Sequence, residues 1–244
     1  MMSMLELNKI HLWDCLELMK LIPDKSIDFV LCDLPYWTTA CSWDVIIPFD
    51  LLWEQYKRII KDKWIFALFG SQPFTTDIIN SNRKWFRYEI IREKTQWQNV
   101  FNCNKQPLKK HENICIFYEW IWTYNPQMTK WKKHIRNWIP EKWWVYWEWS
   151  KAEQTISDEY YPTSIIFMDN DKWLHPTQKP VDLCKRLIST YSNTWETILD
   201  NTSWSWTTAV ACKELWRNFI GIEKEQKYVD IANKRLQYTQ VWLF

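Results

Sequence analysis

Short continuous apolar runs alternate along this chain with segments whose apolar residues recur at helical spacing, and that alternation most narrows the folds open to it. Strands are predicted at Lys9 to Leu12, Ile27 to Cys32, Ile65 to Phe69, Arg87 to Arg92, Ile114 to Tyr118, Thr197 to Leu199 and Asn218 to Ile222. Most of these runs are apolar throughout, which suits a sheet covered on both faces. Helices are predicted between them at Cys15 to Leu21, Phe49 to Lys61, Thr75 to Ser81, Val181 to Tyr191, Thr207 to Leu215 and Gln226 to Gln237. Strand and helix in turn imply an α/β fold: a Rossmann-like, doubly wound, mostly parallel sheet, the commonest host of nucleotide-like cofactors. The 244 residues accommodate one such domain, 1–244, carrying an insertion.

A fold of this kind needs tight turns, many of them left-handed, where glycine is the default residue. The chain has 2 glycines and 21 tryptophans, whereas ordinary usage of about 7% would supply roughly 17 glycines. Many of the tryptophans stand at expected turns. Trp64 follows the helix predicted to end at Lys61, Trp216 separates ACKEL from RNFIGIE, Trp195 lies in NTWET, and Trp204 and Trp206 lie in DNTSWSWTT. Trp143, Trp144, Trp147 and Trp149 crowd a polar stretch, whereas Trp53 and Trp85 fit apolar faces. Such selective placement implies tryptophan at glycine positions. A UGA codon, read as tryptophan in one genetic code and as glycine in another, accounts for it; the alternative is a protein truly rich in tryptophan.

Several classes are disfavoured. The seven cysteines are odd in number and include no CxxC pair, against a zinc site or a disulfide framework and in keeping with reduced thiols in the cytoplasm. No run approaches a membrane span, and the apolar stretch Ile10 to Met19 is broken by Asp14 and Glu17, unlike a signal peptide. A net charge of +2 means that any nucleic-acid surface is a local patch. The place for one is residues 97–164, polar and irregular, with Lys105, Lys109, Lys130, Lys132, Lys133 and Arg136 among Asn, Gln and Pro. Read with glycine, this insert suits a phosphate backbone; read with tryptophan, it suits stacked single-stranded bases; a merely solvated insert is the third reading.

Three stretches carry chemistry. Asp33-Leu34-Pro35-Tyr36 closes the strand IDFVLCD. There an acid, a backbone carbonyl and an aromatic face can together hold a flat group bearing an NH2. The strand TILD, the loop from Asn201 to Trp206, the helix from Thr207 and Glu223 after NFIGI match a nucleoside-binding unit whose second acid grips the ribose hydroxyls. Ser205 or Thr207 is expected to cap that helix. HPTQKP, residues 175–180, presents Thr177, Gln178 and Lys179 at a helix start set by Pro180. His175 has no second His or Cys at metal spacing and reads as structural; no metal site is expected.

Together these stretches resemble the amino-directed DNA methyltransferases (the N-4/N-6 DNA methylases), in the group where the catalytic motif precedes the cofactor motif. DLPYWTT resembles the family's Asp-Pro-Pro-Tyr motif, DNTSWSWTT its Asp-Pro-Phe-x-Gly-Ser-Gly loop, HPTQKP its cofactor-side motif and FIGIE its acidic ribose motif. Asp14, with Trp13 before it, resembles a Gly-Asp pair. The resemblance implies S-adenosylmethionine as cofactor, double-stranded DNA as substrate, and methyl transfer to the N6 amino group of a flipped-out adenine. The cytosine N4 amino group and an inactive nucleic-acid-binding relative are the alternatives. It assigns catalysis to Asp33, Leu34, Pro35 and Tyr36. It assigns cofactor binding to Asp14, Cys15, Thr177, Gln178, Lys179, Pro180, Asp200, Thr202, Ser203, Trp204, Ser205, Trp206, Thr207, Thr208 and Glu223. Residues 97–164 become the target-recognition region, with the six basic residues on DNA. A monomer or homodimer, a cognate restriction endonuclease and a cytoplasmic setting with a prokaryotic or viral gene go with it. Leu34 departs from the family pattern, as do Asn201 and Thr202. Trp37, Trp204 and Trp206 stand for glycines, and two indoles in the cofactor loop are expected to fill the space of the methionine moiety and silence the site.

Overall fold

The structure, a computed structural model, describes residues 4–36, 45–120, 123–136, 155–169, 178–204 and 206–239. In chain order its elements are β1 (Lys9–Leu12), α1 (Cys15–Met19), β2 (Ile27–Cys32), α2 (Phe49–Ile59), β3 (Ile60–Gly70), α3 (Phe74–Ser81), β4 (Phe86–Gln98), a 3-10 turn at Val100–Asn102, β5 (Lys109–Phe117), β6 (Thr129–Arg136), β7 (Thr155–Tyr160), β8 (Ile165–Phe167), α4 (Val181–Tyr191), β9 (Thr197–Asp200), α5 (Thr207–Glu214), β10 (Asn218–Glu223) and α6 (Gln226–Tyr238). Every predicted strand and helix is present. The short strands β6, β7 and β8 carry too little apolar pattern to have been expected.

Eight strands form one sheet in the order β1-β10-β9-β2-β3-β5-β4-β8, and β5 runs against its two neighbours while the other pairings are parallel. The apolar strands alternate their side chains between two buried layers, as a period of two requires. Phe29 and Leu31 of β2 and Ile65, Ala67 and Phe69 of β3 face one core with α4, α5 and α6. Val30, Cys32, Phe66 and Leu68 face the other with α1, α2 and α3. The chain divides into two compact units, Met1–Asn125 with Ser164–Phe244, and Pro126–Thr163, the latter containing the antiparallel β6–β7 pair. The second unit is narrower than the expected insert 97–164. Ile114, Cys115, Ile116 and Phe117 are fully buried on both faces of the main sheet, so β5 belongs to it.

Three tryptophans occupy left-handed backbone. Trp216 (φ 59°) follows the last turn of α5, with its N–H on the Lys213 carbonyl and the Arg217 N–H on the Cys212 carbonyl, the Schellman pattern that glycine normally completes. Trp195 (φ 70°) is the third residue of the turn closed by the Glu196 N–H on Asn193 O, where a type II turn wants glycine. Trp206 (φ 43°) opens α5. Neither Gly70 nor Gly221 has positive φ. Trp64 corrects the pattern: β3 begins directly at Ile60, so Trp64 lies in the irregular stretch of that strand, buried against Phe66 and Trp85. Trp53 is a core residue whose Nε1 donates to Ser81 Oγ at 2.9 Å, as its apolar face predicts. Trp37, Trp143, Trp144, Trp147 and Trp149 lie outside the described residues.

Candidate active site

β1, β10, β9, β2 and β3 are parallel, so their carboxyl ends share one edge. From β9 the chain leaves for β10 and from β2 for β3, in opposite directions. The β9–β2 junction is therefore a topological switch point, where such sheets open a crevice for ligands. Asp33 follows β2 there, Asp200 ends β9, Glu223 ends β10 and Asp14 follows β1. Asp14 caps α1 by accepting from Leu16 N at 2.9 Å, and the Trp13 N–H binds the Glu223 carbonyl at 3.0 Å, which ties the edge together.

Asp33 is the most connected side chain at this edge. Its Oδ1 accepts from the Tyr36 hydroxyl, and its Oδ2 accepts from Lys179 Nζ at 3.0 Å and from Trp204 Nε1 at 3.2 Å. Its backbone carbonyl accepts from Thr202 Oγ1 at 2.9 Å, fastening the β9–α5 loop to the end of β2. The Tyr36 ring lies 5.0 Å from Phe74, and burial followed by the Asp33 charge holds its hydroxyl far above the usual phenol range. Leu34 is buried in the core, so its side chain anchors the motif. Lys179 reaches on to Glu112 Oε2 at 3.2 Å, and Glu112 Oε1 takes Arg92 at 2.6 Å. Burial alone would raise the Glu112 carboxyl. Lys179, Arg92 and Lys94 outweigh that and bring it down to about 2.

The cofactor-side residues assemble at the same edge. Thr202 N donates to Asp200 Oδ1 at 3.3 Å, Ser203 N to the Ile222 carbonyl at 2.7 Å and Tyr56 Oη to Asn201 Oδ1 at 2.6 Å. Gln178, its amide oxygen turned to accept from Arg235 at 2.7 Å, and Pro180 lead into α4. Thr207 does not cap α5. Its hydroxyl donates to the Lys179 carbonyl at 3.1 Å, because the left-handed Trp206 already opens the helix. Thr177, His175 and Ser205 lie outside the described residues. The corner has unmet polar demand: Ser203 Oγ is buried without a hydrogen-bond partner, Asn201 Nδ2 faces the weakly accepting Cys15 thiol, and Asp200 and Glu223 have no ion pair among the described residues. The indoles fit badly. Trp204 Nε1 occupies the Asp33 carboxylate, and the Trp206 Nε1 is buried without a partner.

Burial raises both acids to about 7, despite hydrogen bonds from Thr208 and Thr202 to Asp200 and from the Glu225 and Lys224 backbone to Glu223. A carboxyl raised on folding is protonated in the native state and ionised in the unfolded one between about pH 4 and 7, so it destabilises the fold progressively as pH climbs through that window. Glu223→Gln is therefore expected to be more stable than the parent at pH 8, with the difference closing towards pH 5. Thermal unfolding without ligand across that range measures it, and a pH-independent difference counts against the assignment.

Sequence reading missed Glu112 and Arg92. The available signal was an acid and an amide, Glu112 and Asn113, directly before the apolar run ICIF. Of the basic residues, Lys105 and Lys109 belong to the main unit, where Lys109 is half-buried and donates to Ser71 Oγ. Lys130, Lys132 and Lys133 are exposed on the β6–β7 unit, which also carries Arg136. Among the described residues no cluster of three or more His, Cys, Asp or Glu is placed to hold a metal, and no helix is long and apolar enough to cross a membrane.

A mostly parallel doubly wound sheet with an Asp-x-Pro-Tyr segment at its switch point and two further buried acids along the same edge defines a class I methyltransferase architecture. The model of the N6/N4 DNA methylase family matches residues 27–234, and the chain belongs to that family. It is 28% identical over 263 residues to the Type II methyltransferase M.HinfI of Haemophilus influenzae, covering 95% of this chain and 68% of the relative. The fold is similar to the crystal structure of the M1.HpyAVI–SAM complex, with TM-score 0.65 at 23% identity, covering 93% and 98% of the two chains. It is also similar to the cytosine-N4-specific PvuII DNA methyltransferase, with TM-score 0.67 at 13% identity, covering 96% and 87%.

Proposed function

We propose that this protein transfers the methyl group of S-adenosylmethionine to the N6 amino nitrogen of an adenine turned out of duplex DNA. The observation that carries the reading is Asp33 at the switch point, its carboxylate hydrogen-bonded to Tyr36 and its backbone carbonyl tethered by Thr202 to the acid-lined loop. Bound there, the cofactor supplies an electrophilic methyl group on a sulfonium. Glu223 is suited to its ribose hydroxyls; Asp14, Cys15, Asp200, Thr202, Ser203, Thr207 and Thr208 surround the same corner, and Thr177, Gln178, Lys179, Pro180 and Ser205 complete the set.

An amino nitrogen conjugated to a purine ring is a weak nucleophile. Asp33 and the Leu34 carbonyl accept its two hydrogens, which turns its lone pair out of the ring plane by orientation and electrostatics. Pro35 stiffens the segment and Tyr36 stacks on the flipped base. With Lys179 beside it, Asp33 serves as an acceptor rather than as a base that ionises the amine first. Lys105, Lys109, Lys130, Lys132, Lys133 and Arg136 contact the DNA backbone, and the unit Pro126–Thr163 reads the target. The reading includes a cytoplasmic enzyme, a monomer or homodimer, with a cognate restriction endonuclease as partner.

Aspartate at the first motif position favours adenine. Likeness to a cytosine-N4 enzyme supports the second reading, N4 transfer to cytosine. The indole N–H on Asp33 supports a third, an inactive nucleic-acid-binding relative. We also propose that the natural polypeptide carries glycine at 37, 195, 204, 206 and 216. DNA methylated with tritiated cofactor by that polypeptide and digested to nucleosides is expected to yield label in N6-methyldeoxyadenosine. Label in N4-methyldeoxycytidine would transfer the assignment to cytosine, and no label with bound cofactor would favour the inactive relative.

A further inference from the structure

Lys179 Nζ lies 3.0 Å from Asp33 Oδ2 and 3.2 Å from Glu112 Oε2, between two carboxylates. Lys179, Arg92 and Glu112 are all buried, the last held by Arg92 at 2.6 Å. The Lys179 ammonium also faces the Phe69 ring at 4.9 Å and the Tyr36 ring at 5.9 Å, so aromatic walls border its position. Glu112 sits on β5, in the stretch KKHENICIFY that resembles a structural strand of the family and carries none of the residues assigned to catalysis or cofactor. Burying a second acid beside a catalytic ion pair is costly unless it is itself paired, and Arg92 meets that cost.

Asp33 must perform two incompatible tasks. Before substrate enters, its carboxylate is stabilised by Lys179. During methyl transfer, Oδ2 accepts from an amino nitrogen that is becoming cationic, and an ammonium on the same oxygen repels that charge. We infer that Glu112 is a positioning residue that takes over Lys179 when the target amino group arrives, leaving Asp33 a full-strength acceptor. The ammonium needs only to shorten one existing contact and lengthen the other. Arg92 keeps the receiving carboxylate fixed, and no proton moves. The inference rests on the methyl-transfer reading and adds to it a charge relay running from Asp33 through Lys179 to Glu112.

Glu112→Gln removes the receiving charge with little change of shape, so Lys179 stays on Asp33. Single-turnover methylation by the glycine-bearing enzyme is expected to slow about 30-fold, the scale of one charged hydrogen bond. Cofactor and DNA dissociation constants should remain within about two-fold, because Glu112 itself touches neither ligand, and Glu112→Asp, which keeps the charge, should recover most of the rate. A Gln variant as fast as the parent, or Gln and Asp variants equally slow, overturns the inference. A ternary complex with DNA and a non-reactive cofactor analogue decides independently of whether the Gln variant folds: Lys179 Nζ should sit on Glu112, and finding it still on Asp33 Oδ2 overturns the handover. A parent enzyme that binds cofactor yet never methylates defeats the methyl-transfer reading itself, and the handover with it.

Discussion

Glycine at 204 and 206 is expected to convert a chain that neither holds S-adenosylmethionine nor methylates DNA into one that does both. Trp204 donates its indole N–H to Asp33 Oδ2, the oxygen proposed to hold the target amino group, and Trp206 stands in left-handed backbone with a buried, unpaired N–H. Removing both side chains frees the carboxylate and the loop. Cofactor affinity should rise by about 100-fold or more, which is only about 3 kcal/mol. Titration calorimetry on the two forms measures it, and equal affinities would mean that the indoles are compatible with the site. Glycine at 195 and 216 should add about 1 kcal/mol of stability at each position, because a side chain at positive φ costs about that much. The intact mass of the natively expressed protein checks the same proposal from the other side: it must fall short of a chain with 21 tryptophans.

Asp33→Ala, in the glycine-bearing enzyme, should lower the methyl-transfer rate about 100- to 1000-fold, the usual cost of losing a principal transition-state hydrogen-bond partner. Cofactor affinity should stay nearly unchanged, since the nucleoside-facing acids lie on other strands. Asp33→Asn, which keeps an acceptor oxygen but no charge, should fall between. Single-turnover rates paired with cofactor titration separate the effects. Loss of rate and binding together would show that the Asp33 carboxylate supports the cofactor corner through Lys179 rather than acting on the base. Thermal unfolding accompanies the test, because the substitution leaves Lys179 with Glu112 as its remaining carboxylate partner.

Legibility in the sequence varied by residue for physical reasons. β2 and its acid were readable, since a run such as IDFVLC followed by Asp-Leu-Pro-Tyr has a local signature for both strand and turn. Trp195 and Trp216 were readable as turn residues because left-handed positions follow from local geometry, and the backbone at both is left-handed. Trp64 was misread by the same rule, because sequence does not say whether a helix is followed by a turn or directly by a strand, and here Ile59 of α2 abuts Ile60 of β3. Thr207 was misread as a cap because its competing acceptor, the Lys179 carbonyl, comes from a segment remote in the chain.

Local order and periodicity alone determined the alternating α/β plan, the acids at the strand ends and the excess of tryptophan at turns. All of these arise from interactions within a few residues. Only tertiary packing decided that Lys179 stands between Asp33 and Glu112, with Arg92 behind them, and that the Trp204 indole lands on the Asp33 carboxylate. Charges separated by tens of residues find each other through sheet order and burial, and chain order carries no record of that distance.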